Sequence, residues 1–200
     1  MDKVICVGKN YFEHARELGD EVPAKPVLFL KPPSVVAQLK GDQRAPLVVV
    51  LPSSRGSVHY ECEIVLRVDS HGVVDAVTLG LDLTLRDLQT ELKKQGHPWE
   101  VSKVFAQSAV VGSWISVKDF SHFLSEPFVF LLDGVVRQKG LGREMRFLPE
   151  ECLKYAHESF PVCAGDLIFT GTPAGVGPVQ SGQKGVLQWG KQLELSVDFA

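Results

Sequence analysis

Apolar positions fall in short runs separated by glycine, proline and polar clusters, a spacing that predicts many strands and few helices. Alternating or β-branched stretches place strands at Val4–Val7, Val27–Lys31, Val48–Leu51, Glu63–Val68, Phe128–Leu132, Leu167–Thr170 and Gln192–Asp198. Three segments carry helix signals instead. Asn10 is an N-cap candidate for a helix over Tyr11–Leu18 that Gly19 ends, and Thr84 for one over Leu85–Gln95 that stops at Gly96. Leu148–Glu158 lies between Pro149 near its start and Pro161 beyond its end. With no βαβ alternation, no internal repeat and no low-complexity linker, the pattern predicts a single α+β, mainly β roll over residues 1–200 rather than a doubly wound sheet.

Composition narrows the function classes. A chain of 200 residues, 44% hydrophobic and 22% charged, is of ordinary globular make-up. Burying roughly 70% of its unfolded surface, it needs no disulfide or structural metal to fold, so a metal would serve chemistry. Twenty-one basic against 24 acidic residues, with no basic block, argue against nucleic acid as partner. No apolar run approaches the roughly 18 residues of a membrane span, and the first residues are too soon interrupted for a signal peptide; a cytoplasmic protein is expected. Cys6, Cys62, Cys152 and Cys163 lack both Cys-x-x-Cys spacing and a His-rich partner segment, which excludes zinc and redox motifs and predicts four reduced, mostly buried thiols.

The stretch His59-Tyr60-Glu61-Cys62-Glu63-Ile64-Val65-Leu66-Arg67-Val68 alternates as a strand, so Glu61 and Glu63 share a face. Two close carboxylates repel unless a cation sits between them, and oxygen ligands suit Mg²⁺, Mn²⁺ or Ca²⁺; the alternative is a solvated face with two harmless glutamates. Asp82, at the end of an apolar strand, is either a third ligand or a cap for the helix that follows. Lys103, among aromatic and aliphatic neighbours, either snorkels or is held by a carboxylate site. His14 and Glu17, three apart on one helix face, could form an oriented general base or merely decorate a surface. Leu167 to Pro178 reads as a strand entering a glycine-rich turn without the Gly-Lys-Ser/Thr ending of a Walker motif.

In order, Gly8-Lys9-Asn10-Tyr11 with His14 and Glu17, Pro26 to Pro32, Glu61-x-Glu63, Leu81-Asp82-Leu83-Thr84-Leu85-Arg86-Asp87-Leu88-Gln89, Gly96-x-Pro98-Trp99-x-x-x-Lys103 and Gly171-Thr172-Pro173-Ala174-Gly175-Val176-Gly177 resemble the fumarylacetoacetate hydrolase family. The resemblance is greatest to its short acylpyruvase and oxaloacetate decarboxylase branch, and extends over roughly residues 4 to 180. It implies a mixed β-roll, a homodimer, and Mg²⁺ or Mn²⁺ on Glu61, Glu63 and Asp82. It further implies that Lys103 and Thr172 meet the substrate and that Gln89 positions it. Lys9 stands where relatives often carry arginine, a point charge in place of a fork. Gln138 to Met145 replaces small polar residues near the site, and the tail after Val179 is expected to match poorly.

The activity implied is metal-dependent C–C cleavage of a small 3-acylpyruvate-like keto acid through an enolate, with His14 activating water and Glu17 orienting His14. Lys103 and Lys9 would balance the anionic substrate. Decarboxylation or tautomerisation of related keto acids shares the enolate and is the alternative; a non-catalytic metal-stabilised binding protein is a third. The helix over Tyr11–Leu18, short and flanked by Gly8 and Gly19, is expected to act as a lid.

Overall fold

A computed structural model describes residues 1–17, 19, 23–39, 45–117 and 121–200. The strands are β1 (Val4–Gly8), β2 (Val27–Lys31), β3 (Val36–Gln38), β4 (Leu47–Val49), β5 (Val58–Tyr60), β6 (Cys62–Val68), β7 (Val74–Asp82), β8 (Thr84–Leu85) and β9 (Ala109–Val111). They continue with β10 (Ile115–Ser116), β11 (Pro127–Leu132), β12 (Val135–Leu141), β13 (Leu167–Phe169), β14 (Gly177–Val179), β15 (Lys184–Trp189) and β16 (Leu193–Phe199). The α-helices are α1 (Phe12–Glu17), α2 (Arg86–Gln95), α3 (Ser121–Ser125) and α4 (Pro149–Ser159). This is the mainly β architecture that the apolar spacing predicts.

The largest sheet runs β2-β1-β13-β6-β7-β9-β3, with β10 also on β7; a second runs β12-β11-β15-β16-β4, and a third β14-β5-β8. Most neighbours are antiparallel, whereas β1 lies parallel to β13, β3 to β9 and β4 to β16, so the roll is mixed. Alternation along β1 sends Ile5 and Val7 into the main core and Val4 and Cys6 into a smaller cluster on the other face, with Phe29, Val65 and Phe169. On β6, Ile64 and Leu66 likewise enter the main core and Val65 the smaller cluster. Glu63 shares the Val65 face, so the carboxylates lie on the side of the smaller cluster, at one end of the central strands.

Asn10 does not cap α1. It is fully buried, its Nδ2 donates to the carbonyls of Phe147 (2.9 Å) and Thr170 (2.8 Å), and its Oδ1 accepts from Phe147 N (2.7 Å). Thr84 does not cap α2, whose N-cap is Leu85 without a side-chain bond; Thr84 lies within β8 and its hydroxyl reaches Glu61. Gly96 does end α2, in the left-handed conformation (φ 69°, ψ 19°) with its N–H on Leu92 and Lys93 carbonyls. The strand expected at Val48–Leu51 is Leu47–Val49, and α1 is Phe12–Glu17, with the expected end at Leu18 outside the described residues. All four cysteines are free; Cys6, Cys62 and Cys152 are buried and Cys163 is exposed.

Candidate active site

Strand register assembles the acids. Glu63 pairs with Gly80 across β6 and β7, and two residues earlier Asp82 N donates to Glu61 O at 2.9 Å. Glu63 of β6, Glu61 just ahead of that strand and Asp82 of β7 thus emerge on one face. Ligand oxygens of Glu61, Glu63 and Asp82 lie within 4.8 Å of one another, all buried. So dense a set of hard oxygen donors fits a divalent cation of the Mg²⁺ or Mn²⁺ kind and offers nothing to favour zinc. Asp82 is accordingly no helix cap, because its carboxylate turns inward to Lys31 and Lys103.

Three cations face the three acids. Lys103 Nζ donates to Glu61 Oε2 and Asp82 Oδ2, both at 2.7 Å. Lys31 Nζ lies 2.5 Å from Asp82 Oδ1 and donates to the carbonyls of Ser108 (2.6 Å) and Leu83 (3.3 Å). Arg86 Nη2 binds Glu61 Oε1, while its Nη1 donates to Gln89 Oε1 at 2.8 Å. Burial alone would raise the Glu61 carboxyl, but Lys103 and Arg86 outweigh it and hold the group well below the usual carboxylate range. Glu63 goes the other way: burial, reinforced by Asp82 and Glu61, pushes it well above that range, and Lys103 and the Gly171 N–H only partly offset this.

The glycine-rich turn after β13 closes the site. Gly171 N donates to Glu63 Oε2 at 2.6 Å. Its φ of 96° and the 2.7 Å approach that a Cβ there would make to Asn10 Cβ explain why glycine stands at this position. Thr172 Oγ1 donates to Cys62 O (2.8 Å) and accepts from Gln138 Nε2 (2.7 Å), so its hydroxyl proton is committed to the protein. Gln138, buried, also receives Cys62 N on its Oε1 at 2.9 Å and ties the turn to β6.

On the opposite wall, α1 presents His14, which is buried with Nδ1 3.4 Å from Glu17 Oε2. Burial lowers the imidazole below its ordinary 6.5, against the raising influence of Glu61 and Glu17. Glu17 also accepts Gly175 N at 3.1 and 3.2 Å, joining α1 to the glycine-rich turn. One cavity is lined by all nine residues expected from the sequence save Glu17: Lys9, His14, Glu61, Glu63, Asp82, Gln89, Lys103 and Thr172. Glu17 stands behind His14. Sequence reasoning missed Lys31, Arg86 and Gln138 as participants. For Lys31 the signal was present, since in β2 it shares the face of Phe29, which points into the smaller cluster.

No helix among the described residues is long and apolar enough to cross a membrane. The chain is similar to the oxaloacetate tautomerase YcgM of Escherichia coli, 36% identical over 92% of this chain and 86% of that protein. It is 35% identical to a mitochondrial oxaloacetate decarboxylase of Dictyostelium discoideum, over 90% of this chain and 85% of that one. Among solved structures, a fumarylpyruvate hydrolase of Pseudomonas aeruginosa in complex with Mn²⁺ and pyruvate superposes with a TM-score of 0.91 at 32% identity, covering 100% of this chain and 90% of the other. The match to the family extends through β16, so the expected mismatch after Val179 is corrected: that tail builds β15 and β16 of the second sheet. Spanning residues 3–199, the fit to the fumarylacetoacetate (FAA) hydrolase C-terminal model makes this chain a member of that family.

Proposed function

We propose that the protein is an enzyme of small 2-keto diacids of the oxaloacetate type, working with Mg²⁺ or Mn²⁺ on Glu61, Glu63 and Asp82 and moving a proton between keto and enol forms. The charge balance of the chamber carries this reading. Glu61 and Asp82 are ion-paired with Lys31, Lys103 and Arg86, and Lys9 and Lys93 also line the cavity, so a divalent cation on the three acids leaves the chamber net positive, which a dianion fits. The relatives named for oxaloacetate tautomerisation and decarboxylation support the same class.

When bound, the cation supplies Lewis-acid polarisation of the 2-keto group. The chain's own groups do the rest. Nδ1 of His14 faces Glu17, which leaves Nε2 as the basic atom for the proton on the carbon beside the keto group. Lys103 spends two N–H bonds on Glu61 and Asp82 and retains a third for the oxygen where negative charge develops. Gln89, its Oε1 taken by Arg86, offers its amide N–H groups to a substrate oxygen. C–C hydrolysis of acylpyruvates is the second reading, favoured by the His14–Glu17 pair, which suits activation of water.

The test is turnover of oxaloacetate (enol to keto, and decarboxylation) and of an acylpyruvate with Mg²⁺ or Mn²⁺ at saturation. Oxaloacetate tautomerisation should dominate, and His14→Ala should lower it by about 10²–10⁴-fold. Because neutral His14 is the active form and its pKa lies below 6.5, kcat/KM should fall only as pH drops beneath that value. Faster turnover of the acylpyruvate would assign the enzyme to hydrolysis; no turnover of any keto acid would overturn the proposal.

A further inference from the structure

On α2, Arg86, Gln89 and Lys93 stand at i, i+3 and i+7, hence on one helix face, and all three line the cavity. At 1.5 Å per residue the stripe spans about 10 Å, from Arg86 on Glu61 at the inner end to Lys93 at the mouth. Lys93 Nζ lies 5.4 Å over the Trp99 ring, and Trp99 packs edge-on against Phe29 at 5.1 Å. The ring is thereby fixed by the small core, and a cation–π contact holds the ammonium to it. A second, outer cleft shares Lys9, Val27, Lys93 and Trp99 with the inner cavity, so these four residues form the collar between chamber and solvent.

We propose that Lys93, braced on Trp99, is a specificity-determining residue that selects keto acids carrying a second, distal carboxylate. This rests on the keto-diacid reading above and assigns its two charges. The keto-carboxylate head belongs at the inner end, among Lys103, Arg86 and the acids, while the tail of a longer acid reaches the collar, where Lys93 meets it. Neighbouring Lys94 does not line the cavity, so the effect belongs to one helix face.

Calorimetry with Mg²⁺ at saturation tests the proposal, using pyruvate as head alone and 2-oxoglutarate as head plus tail carboxylate. For an exposed charge pair the wild type should prefer 2-oxoglutarate by about two- to fivefold, an advantage that shrinks as salt is raised. Lys93→Met should abolish the preference while leaving the Kd of pyruvate unchanged, and Lys93→Arg should keep it. An unchanged ratio in Lys93→Met, with pyruvate still bound, would overturn the collar and leave the keto-acid reading standing. Failure of both acids to bind would overturn the keto-acid reading and the collar with it.

Discussion

Lys31 keeps almost none of its surface in water, yet its ammonium is satisfied by Asp82 and by the carbonyls of Ser108 and Leu83. Removing one member of such a buried pair strands the other, which costs more than the pair itself contributes. Lys31→Met, nearly isosteric, should therefore destabilise the cation-free protein by about 3–5 kcal/mol, read as a lowered urea midpoint with unchanged slope. A loss below about 1 kcal/mol would mean that Asp82 is adequately served by Lys103 alone. Asn10 shows how residue-scale reading goes astray. An asparagine ahead of a helix suggests a cap, but the same amide can equally bind backbone brought near only by the fold, here at Phe147 and Thr170.

At the scale of elements, α1 is only six residues long and owes its place to a few ties: Tyr11 bridges to Met145, Arg146 N donates to Asn10 O, and Glu17 accepts Gly175 N. A helix this short is marginal by itself, so its order depends on what it packs against. We propose that it serves as a lid over the chamber, with His14 on its inner side. Hydrogen exchange of residues 12–17 with Mg²⁺ should slow when oxalate, a dianion resembling an enolate, is added; equal exchange in both states would remove the lid. In the central sheet β1, β2, β6 and β13 were legible as short apolar runs bounded by turn residues, whereas β3, β9 and β10, two or three residues each, are too short to carry a readable pattern. Glu61 and Glu63 were legible as well, since strand pitch alone puts i and i+2 on one face. The partners of those acids were not, because contacts from β2 and α2 to the ends of β6 and β7 depend on sheet order, which one sequence does not display. Thr84, read as a cap and found in β8 with its hydroxyl on Glu61, failed on the same ground.

Over the whole molecule, the acids come from the ends of the central strands, His14 from α1, the mouth from α2 and the closing turn from the end of β13, so the chamber exists only in the native fold. Mg²⁺ should then bind the native state alone and stabilise it by about 2.7 kcal/mol at a hundredfold excess over Kd. For a protein of this size that corresponds to a Tm rise of about 5–10 °C, visible by calorimetry and reversed by a chelator. Glu63→Gln should erase most of the rise, whereas equal rises in both proteins would place the ion elsewhere.

The ammonium of Lys103, lodged between Glu61 and Asp82, has a consequence for the life of the protein in a cell. Glu61 and Asp82 have resident counter-charges, so the acids are not a bare cluster of anions that would force the roll apart without an ion. On the metal reading proposed above, synthesis and loading would be separate events, the chain folding first and equilibrating afterwards with whichever divalent ion the surrounding pool supplies. The identity of the working metal would then be a property of the compartment as much as of the ligands.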